Sequence, residues 1–359
     1  MKKLFALLIV GCMTIGLLTG CSSGEEPASD VPLSGEIEII EDDADAVPEG
    51  MARSYLTGEW IDEELATQRP IAVMMGNTTA ALPQYGVGSA EVIYESPVEG
   101  GITRLMAIIH DYESVEKIMS VRSCRYYYVP WMLEYDAIYV HYGQSDFANG
   151  ILAEDYVNNL SGLDGTIESV VFARDNSRSA PHNAYATGEK IVAGIEKKGY
   201  EKSYAEDYNG SFTFNEDDEN EINLDSGTDA IVVNLGYSIN KPHFDYDEEE
   251  GVYYRYQYGD KHIDGADNSQ LTCENIILQV CDWSYYEGSE SLNIKQISSG
   301  NGYFVTNGKM VPITWEKDST SAPTKYYYED GSEIVLNQGK TWVCIILDSD
   351  EGNVSFTAE

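Results

Sequence analysis

The run Leu-Met-Ala-Ile-Ile from Leu105 to Ile109 has no polar side chain on either face, so a strand built from it must be covered on both sides. That requirement rules out an open, solvated hairpin and calls for helices or a second sheet around it. Gly100-Gly101 supplies the turn that starts the strand, read as Ile102 to His110, and Ser114 to Glu116 turns the chain into a second strand over Lys117 to Val121. Around these two the pattern alternates. Ile71 to Met75, Glu91 to Glu95, Asp136 to His141 and Thr166 to Ala173 read as strands. Ser123 to Glu134 and Ala184 to Lys197 read as helices, the first interrupted by Pro130 and the second stopped by Gly199. The fold expected of residues 68–203 is an α/β domain with a mixed sheet.

From residue 204 to 359 the helical period disappears. Strand-like runs follow one another, among them Val252 to Tyr258, Asn275 to Cys281, Lys309 to Ile313 and Thr341 to Leu347. Gly259-Asp260, Asn307-Gly308 and Asp330-Gly331 mark the turns, the last two suiting two-residue hairpins. A mainly antiparallel β C-terminal domain is expected, with the acidic stretches Glu216 to Glu221 and Asp245 to Glu250 as solvated loops. Two domains also suit a chain of 359 residues, which exceeds the usual single core.

The N-terminus sets the compartment. Lys2-Lys3 and the apolar run from Leu4 to about Leu18 form a secretion signal too short for a convincing membrane span. It closes on Leu18-Thr19-Gly20-Cys21, which resembles the bacterial lipobox. The resemblance implies cleavage before Cys21, lipid attachment at Cys21, and a protein held on the outer face of the cytoplasmic membrane of a Gram-positive bacterium. Residues 21–67, rich in Asp, Glu and Pro, read as a disordered acidic tether that holds the domains about 40 Å from the lipid. Anionic headgroups repel such a segment, so the acyl chains must do the anchoring.

Charge narrows the function further. The formal net charge is -39, with 22 Lys+Arg against 61 Asp+Glu, and no basic stripe is available to bind nucleic acid. Against that background the arginines stand out: of eight, five lie between residues 104 and 178, namely Arg104, Arg122, Arg125, Arg174 and Arg178. A guanidinium is a fixed fork of donors suited to phosphate or carboxylate. The candidate ligand-binding set is Arg104, Arg122, Ser123, Arg125, His141, Arg178, His182 and Asn183, with Arg104, Arg122 and Arg125 sharing one rim at the end of the sheet. The competing reading is internal ion pairing of these arginines with Glu95, Glu99 or Asp136.

Other chemistry finds no motif. His110, His141, His182, His243 and His262 have no metal-ligand spacing, and the acidic runs lack the glycine and terminal glutamate of a calcium loop. There is no phosphate-cradling glycine loop and no G-x-S-x-G elbow. No cofactor is expected and no catalytic residue is assigned. Cys124, Cys273, Cys281 and Cys344 read as buried thiols; an unbroken strand between Cys273 and Cys281 would separate them by about 26 Å, too far for a mutual bond.

Several stretches together carry a resemblance. Arg69 to Met74 (R-P-I-A-V-M), Glu99 to Arg104 (E-G-G-I-T-R), Val121 to Arg125 (V-R-S-C-R), His141 to Ser145 (H-Y-G-Q-S) and Arg178 to Asn183 (R-S-A-P-H-N) match the YerB-like bacterial lipoproteins, which carry a two-part domain of unknown function. In the later half Gly300 to Gly302, Thr314 to Lys317 and Gly339 to Trp342 match as well, so the resemblance runs from about Arg69 to Ile346. Leu82 stands where the family often has arginine, and Gln144 where it often has glycine. The resemblance implies a membrane-anchored envelope protein and no established activity. The expected function is a ligand-binding or scaffold lipoprotein of the cell envelope, its partner a cell-wall component or an envelope protein. The alternative is an envelope enzyme acting on phosphate-containing cell-wall precursors or glycopolymers, an analogy at the level of the fold with the LytR-CpsA-Psr proteins. A purely structural spacer is the third possibility.

Overall fold

The strand over Leu105 to Ile109 lies inside an eleven-stranded sheet that runs through both halves of the chain. The structure, a computed structural model, describes residues 47–217 and 220–359. The expected signal peptide, Cys21 and most of the acidic tether lie outside the described residues. We label the strands that matter here β1 (Ile71–Gly76), β2 (Val92–Pro97), β3 (Thr103–Ile109), β4 (Ile138–His141) and β5 (Asn159–Ser161) in the N-terminal region. In the C-terminal region they are β6 (Val232–Asn234), β7 (His243–Asp247), β8 (Val252–Gln257), β9 (Asn275–Cys281), β10 (Ser299–Thr306), β11 (Lys309–Glu316), β12 (Thr341–Leu347) and β13 (Ser355–Thr357). The main sheet is ordered β11-β10-β9-β12-β2-β3-β1-β4-β5, with Thr228–Asp229 and Lys325–Tyr327 both paired to β11. A second sheet holds β8, β7, β6 and β13 in that order.

The seam between the halves is the parallel pairing of β12 with β2, with Thr341 opposite Val92. The N-terminal region is a mixed sheet with helices, as β1 pairs antiparallel with β3 and parallel with β4. The C-terminal region consists of antiparallel strands, apart from one parallel pair, β9 with β12. Asn307-Gly308 closes the β10–β11 hairpin with both residues at positive φ, the geometry a two-residue turn requires.

Alternation along each strand divides the core into two apolar layers. Val73, Met75, Leu105 and Ala107 face one layer, which holds Ile191 and Ile195 of α2 (Gly188–Lys198) and Phe244 and Tyr253 of the second sheet. Ala72, Met74, Met106 and Ile108 face the other, with Tyr128, Trp131 and Met132 of α1 (Tyr128–Leu133). Burial on both faces is what the uniform run of β3 demanded, each large side chain contributing about 1.5–3 kcal/mol.

Several elements differ from the sequence expectation. Residues 51–66 are folded: Met51–Arg53 pairs with Trp60–Asp62, a helical turn follows at Glu63–Ala66, and Leu56 is fully buried. Residues 51–66 therefore do not belong to the tether expected over 21–67. Residues 47–359 form one compact unit, so the boundary placed at 203/204 is a change of secondary structure and not a break between cores. Over Thr166 to Ala173 the chain makes a helical turn, Glu168–Val171, where a strand was expected; the apolar pair Val170-Val171 packs beside α2. The predicted helix from Ala184 begins only at Gly188, since Ala184–Ala186 is spent on a strand, and Thr187 caps the helix through its side chain. Asp245 to Glu250 is half strand: β7 alternates apolar and acidic residues, burying Phe244. All four described cysteines are free and buried.

Candidate functional site

The carboxyl end of β1 is wedged open by residues 121–125. The Arg122 N–H donates to the Met74 carbonyl at 2.8 Å, the Tyr142 N–H to the Arg122 carbonyl at 2.9 Å, and the Cys124 N–H to the Gly143 carbonyl at 2.9 Å. Gly76 makes room for this: a Cβ there would lie 2.9 Å from Ser120 Oγ and 3.1 Å from Arg122 Cγ. The strand expected over Lys117 to Val121 shrinks to Ile118–Met119 and pairs with Ala184–Ala186, not with β3. Arg104 nevertheless reaches the same edge, because β3 runs antiparallel to β1 and sets Arg104 opposite Gly76. This is the edge of an open sheet where ligands ordinarily bind.

Arg104, Arg122 and Arg125 come together there. Arg104 is buried, donates to the Ser123 carbonyl and has no paired carboxylate among the described residues; burial, then the neighbouring Arg125 and Arg122, push its pKa down to about 10. Arg122 donates to His182 Nδ1 at 3.0 Å, and burial followed by Arg125 lowers its pKa too. Since His182 accepts that bond at Nδ1, its ring is neutral, and burial, Arg122 and Arg178 all depress its pKa. Arg125 is the compensated member: it donates to Glu99 from Nε at 2.8 Å and from Nη2 at 2.6 Å. Burial works against the charge on each, but these bonds outweigh it, holding Arg125 above and Glu99 below their ordinary pKa values. The corner thus carries three guanidiniums and one carboxylate.

The other expected ligands divide. Ser123 lies inside the cluster, its hydroxyl donating to the Tyr142 carbonyl at 3.2 Å. His141 ends β4 beside it, with Nδ1 2.9 Å from the Gly143 carbonyl. Arg178 and Asn183 are engaged elsewhere. Arg178 donates to the Ala81 and Pro83 carbonyls at 2.7 and 2.6 Å, and Asn183 accepts from Arg174 at 2.9 Å. Arg174 itself lies over the Tyr142 ring. Of the carboxylates weighed as counter-charges only Glu99 joins the cluster. Asp136 pairs with Arg69 at 3.1 Å, and Glu95 pairs with Arg255 deep in the core.

That last pair was invisible in the sequence, since its members are 160 residues apart. Glu95 also accepts from Thr103 at 2.7 Å, Asn240 at 2.9 Å and Asn77 at 3.2 Å. On the opposite face of the sheet Glu134 pairs with Lys317 at 2.8 Å, again buried and again across the two regions. Among the described residues no group of three or more His, Cys, Asp or Glu side chains could hold a metal ion.

Residues 56–201 match the N-terminal domain, and residues 231–343 the C-terminal domain, of a family described as protein of unknown function (DUF3048). The chain belongs to this family, the YerB-like proteins with their two-part domain. A relative in Bacillus subtilis (strain 168), named "Putative lipoprotein YerB", is 27% identical over 325 residues, which is 87% of this chain and 92% of the relative. The crystal structure of YerB protein from Bacillus subtilis superposes with a TM-score of 0.75 at 25% identity, covering 85% of this chain and 99% of that one. The two matched regions meet where β12 pairs with β2, and so share one sheet.

Proposed function

We propose that the arginine corner at the end of β1 is an anion-binding site, and that the protein is an envelope lipoprotein which uses it to hold a phosphate- or carboxylate-bearing cell-wall component. The observation that carries this reading is the pair Arg104 and Arg122, two adjacent guanidiniums with no carboxylate paired to them among the described residues of a chain of net charge -39. Acidic side chains are abundant, and holding partly buried cations together without one is costly unless an anion arrives. Thermal denaturation of the full chain tests this with inorganic phosphate, pyrophosphate and muropeptides as probes. A ligand at a hundred times its Kd stabilises by about 2.7 kcal/mol, a readable shift. The Arg104→Met, Arg122→Ala double variant is expected to lose the shift while keeping a cooperative transition. If no probe shifts the natural protein, or the variant responds equally, the anion site is wrong. Steady release of a product from any probe would favour the enzyme alternative.

Anchoring rests on Leu18 to Cys21 and on the kinship with a protein named as a lipoprotein. In this reading the folded unit stands on the outer face of the cytoplasmic membrane of a Gram-positive cell, tethered through Cys21. Cys21→Ala should move the protein from the membrane fraction to the medium, or leave it as an uncleaved precursor. Mature-sized variant retained on membranes would count against the anchor.

A further inference from the structure

A cleft of about 290 Å³ opens at the ends of β4 and β5, lined among others by His141, Gln144, Asn149, Asn159, Ser161 and Asp164. Its polar groups are unusual in kind. His141 is fully buried, and since Nδ1 faces the Gly143 carbonyl it carries the proton, leaving Nε2 as a bare acceptor. Among the described residues no group donates to that nitrogen, and the Asn159 side chain beside it has only its oxygen to offer, an acceptor. The Asn159 amide N–H groups are already given to the Leu152 and Val157 carbonyls, so they are not free to donate to the ring. Gln144 repeats the pattern: its amide nitrogen donates to Asn149 at 3.1 Å, and its buried Oε1 is unpartnered. Asp164 adds a carboxylate, held by Lys198 and Thr166. A buried polar atom without a partner calls for an explanation, and these two belong to residues that line one cleft. The two unpartnered atoms are both acceptors, so the occupant must donate.

The cleft adjoins the arginine corner. Strand alternation puts Arg104 and His141 on the same face of the sheet, with Met106 and Tyr139. Arg104 acts electrostatically on Cys124 and Tyr139, and the Tyr139 ring centre is 5.1 Å from that of His141. Cys124 bridges to Gln144 along the backbone, so residues 122–125 form the rim common to both. Resting on the anion-site reading above, we propose that the cleft is the hydroxyl-binding half of one composite site, whose ligand is a phosphorylated sugar or polyol. The phosphate would take Arg104 and Arg122, and the ligand's hydroxyl groups would donate to His141 Nε2 and Gln144 Oε1.

Calorimetric titration of the full chain separates the two ideas. The probes are inorganic phosphate, glycerol 3-phosphate, glucose 1-phosphate and glucose. Either organic phosphate should bind about tenfold or more tighter than inorganic phosphate, the gain expected of one well-made hydrogen bond to a buried acceptor. Gln144→Leu, checked for an unaltered thermal midpoint, should bring the organic phosphates down toward the inorganic level, and Arg122→Ala should weaken all three phosphates. Equal binding of all phosphates would overturn the composite site and leave the anion site standing. No binding of any phosphate would overturn both. An organic-phosphate advantage that survives undiminished in Gln144→Leu would place the hydroxyl contacts elsewhere and also refute the inference.

Discussion

Arg255→Met should destabilise the protein by about 3–5 kcal/mol, because it strands the Glu95 carboxylate inside the core. Both side chains are fully inaccessible to solvent. Arg255 lies against the rings of Phe244 and Trp342, its guanidinium carbon 4.8 and 4.7 Å from their centroids. Thr103, Asn77 and Asn240 would still donate to Glu95, but neutral donors do not cancel a buried charge. Changing both partners tests the account. Glu95→Gln with Arg255→Met removes charge from both sides and should recover much of the loss, whereas additive damage in the double variant would show that packing, and not charge, is at issue. Denaturant titration of the four proteins gives the coupling directly.

Lys317→Met should cost a similar amount on the opposite face. The Lys317 and Glu134 side chains are 0% and 1% exposed. Glu134 keeps a bond from the Thr324 hydroxyl at 2.7 Å, and its backbone carbonyl accepts from Ser211 at 2.6 Å, so the local geometry would survive the substitution. What is lost is the only opposite charge paired with Glu134 among the described residues. Glu134→Gln should be milder than Lys317→Met, since an amide can still accept from the ammonium and the charge left behind has the Ala322 carbonyl as a second acceptor. If Lys317→Met costs less than about 1 kcal/mol, the pair is not the structural tie its burial implies.

How much of this was legible beforehand follows the distance over which each signal acts. Strands announced by local composition came through: Asn275–Cys281 and Thr341–Leu347 are apolar except at Asn275, Gln279 and Thr341, and both are buried on two faces. Patterns open to two readings did not. Val170-Val171 is β-branched, but four residues of helix beside α2 bury it as well as a strand would. The stretch from 51 to 66 looked like more of the acidic tether because its charges sit on the outside of a hairpin around a single buried leucine, Leu56. For the site, the clustering of arginines in a short span of an acidic chain was a usable signal, and Arg104, Arg122 and Arg125 do converge. Their route to convergence was not readable, because it depends on residues 121–125 threading between Met74 and Gly143, contacts that no periodicity encodes.

The seam between the halves also bears on how the protein is made. β2 has only β3 on one side until β12 is synthesised, so for some 240 further residues of synthesis the growing chain presents an unpaired apolar strand edge. Glu95 and Glu134 emerge in the same early portion, and their cations at Arg255 and Lys317 arrive much later. At about 5–20 residues per second the wait lasts on the order of ten seconds or more. An early half that settled into its final packing during that interval would have to enclose two carboxylates with nothing to neutralise them. The early half cannot complete its packing until the last strands appear, and a truncated copy ending near residue 203 should accumulate as aggregate or be degraded.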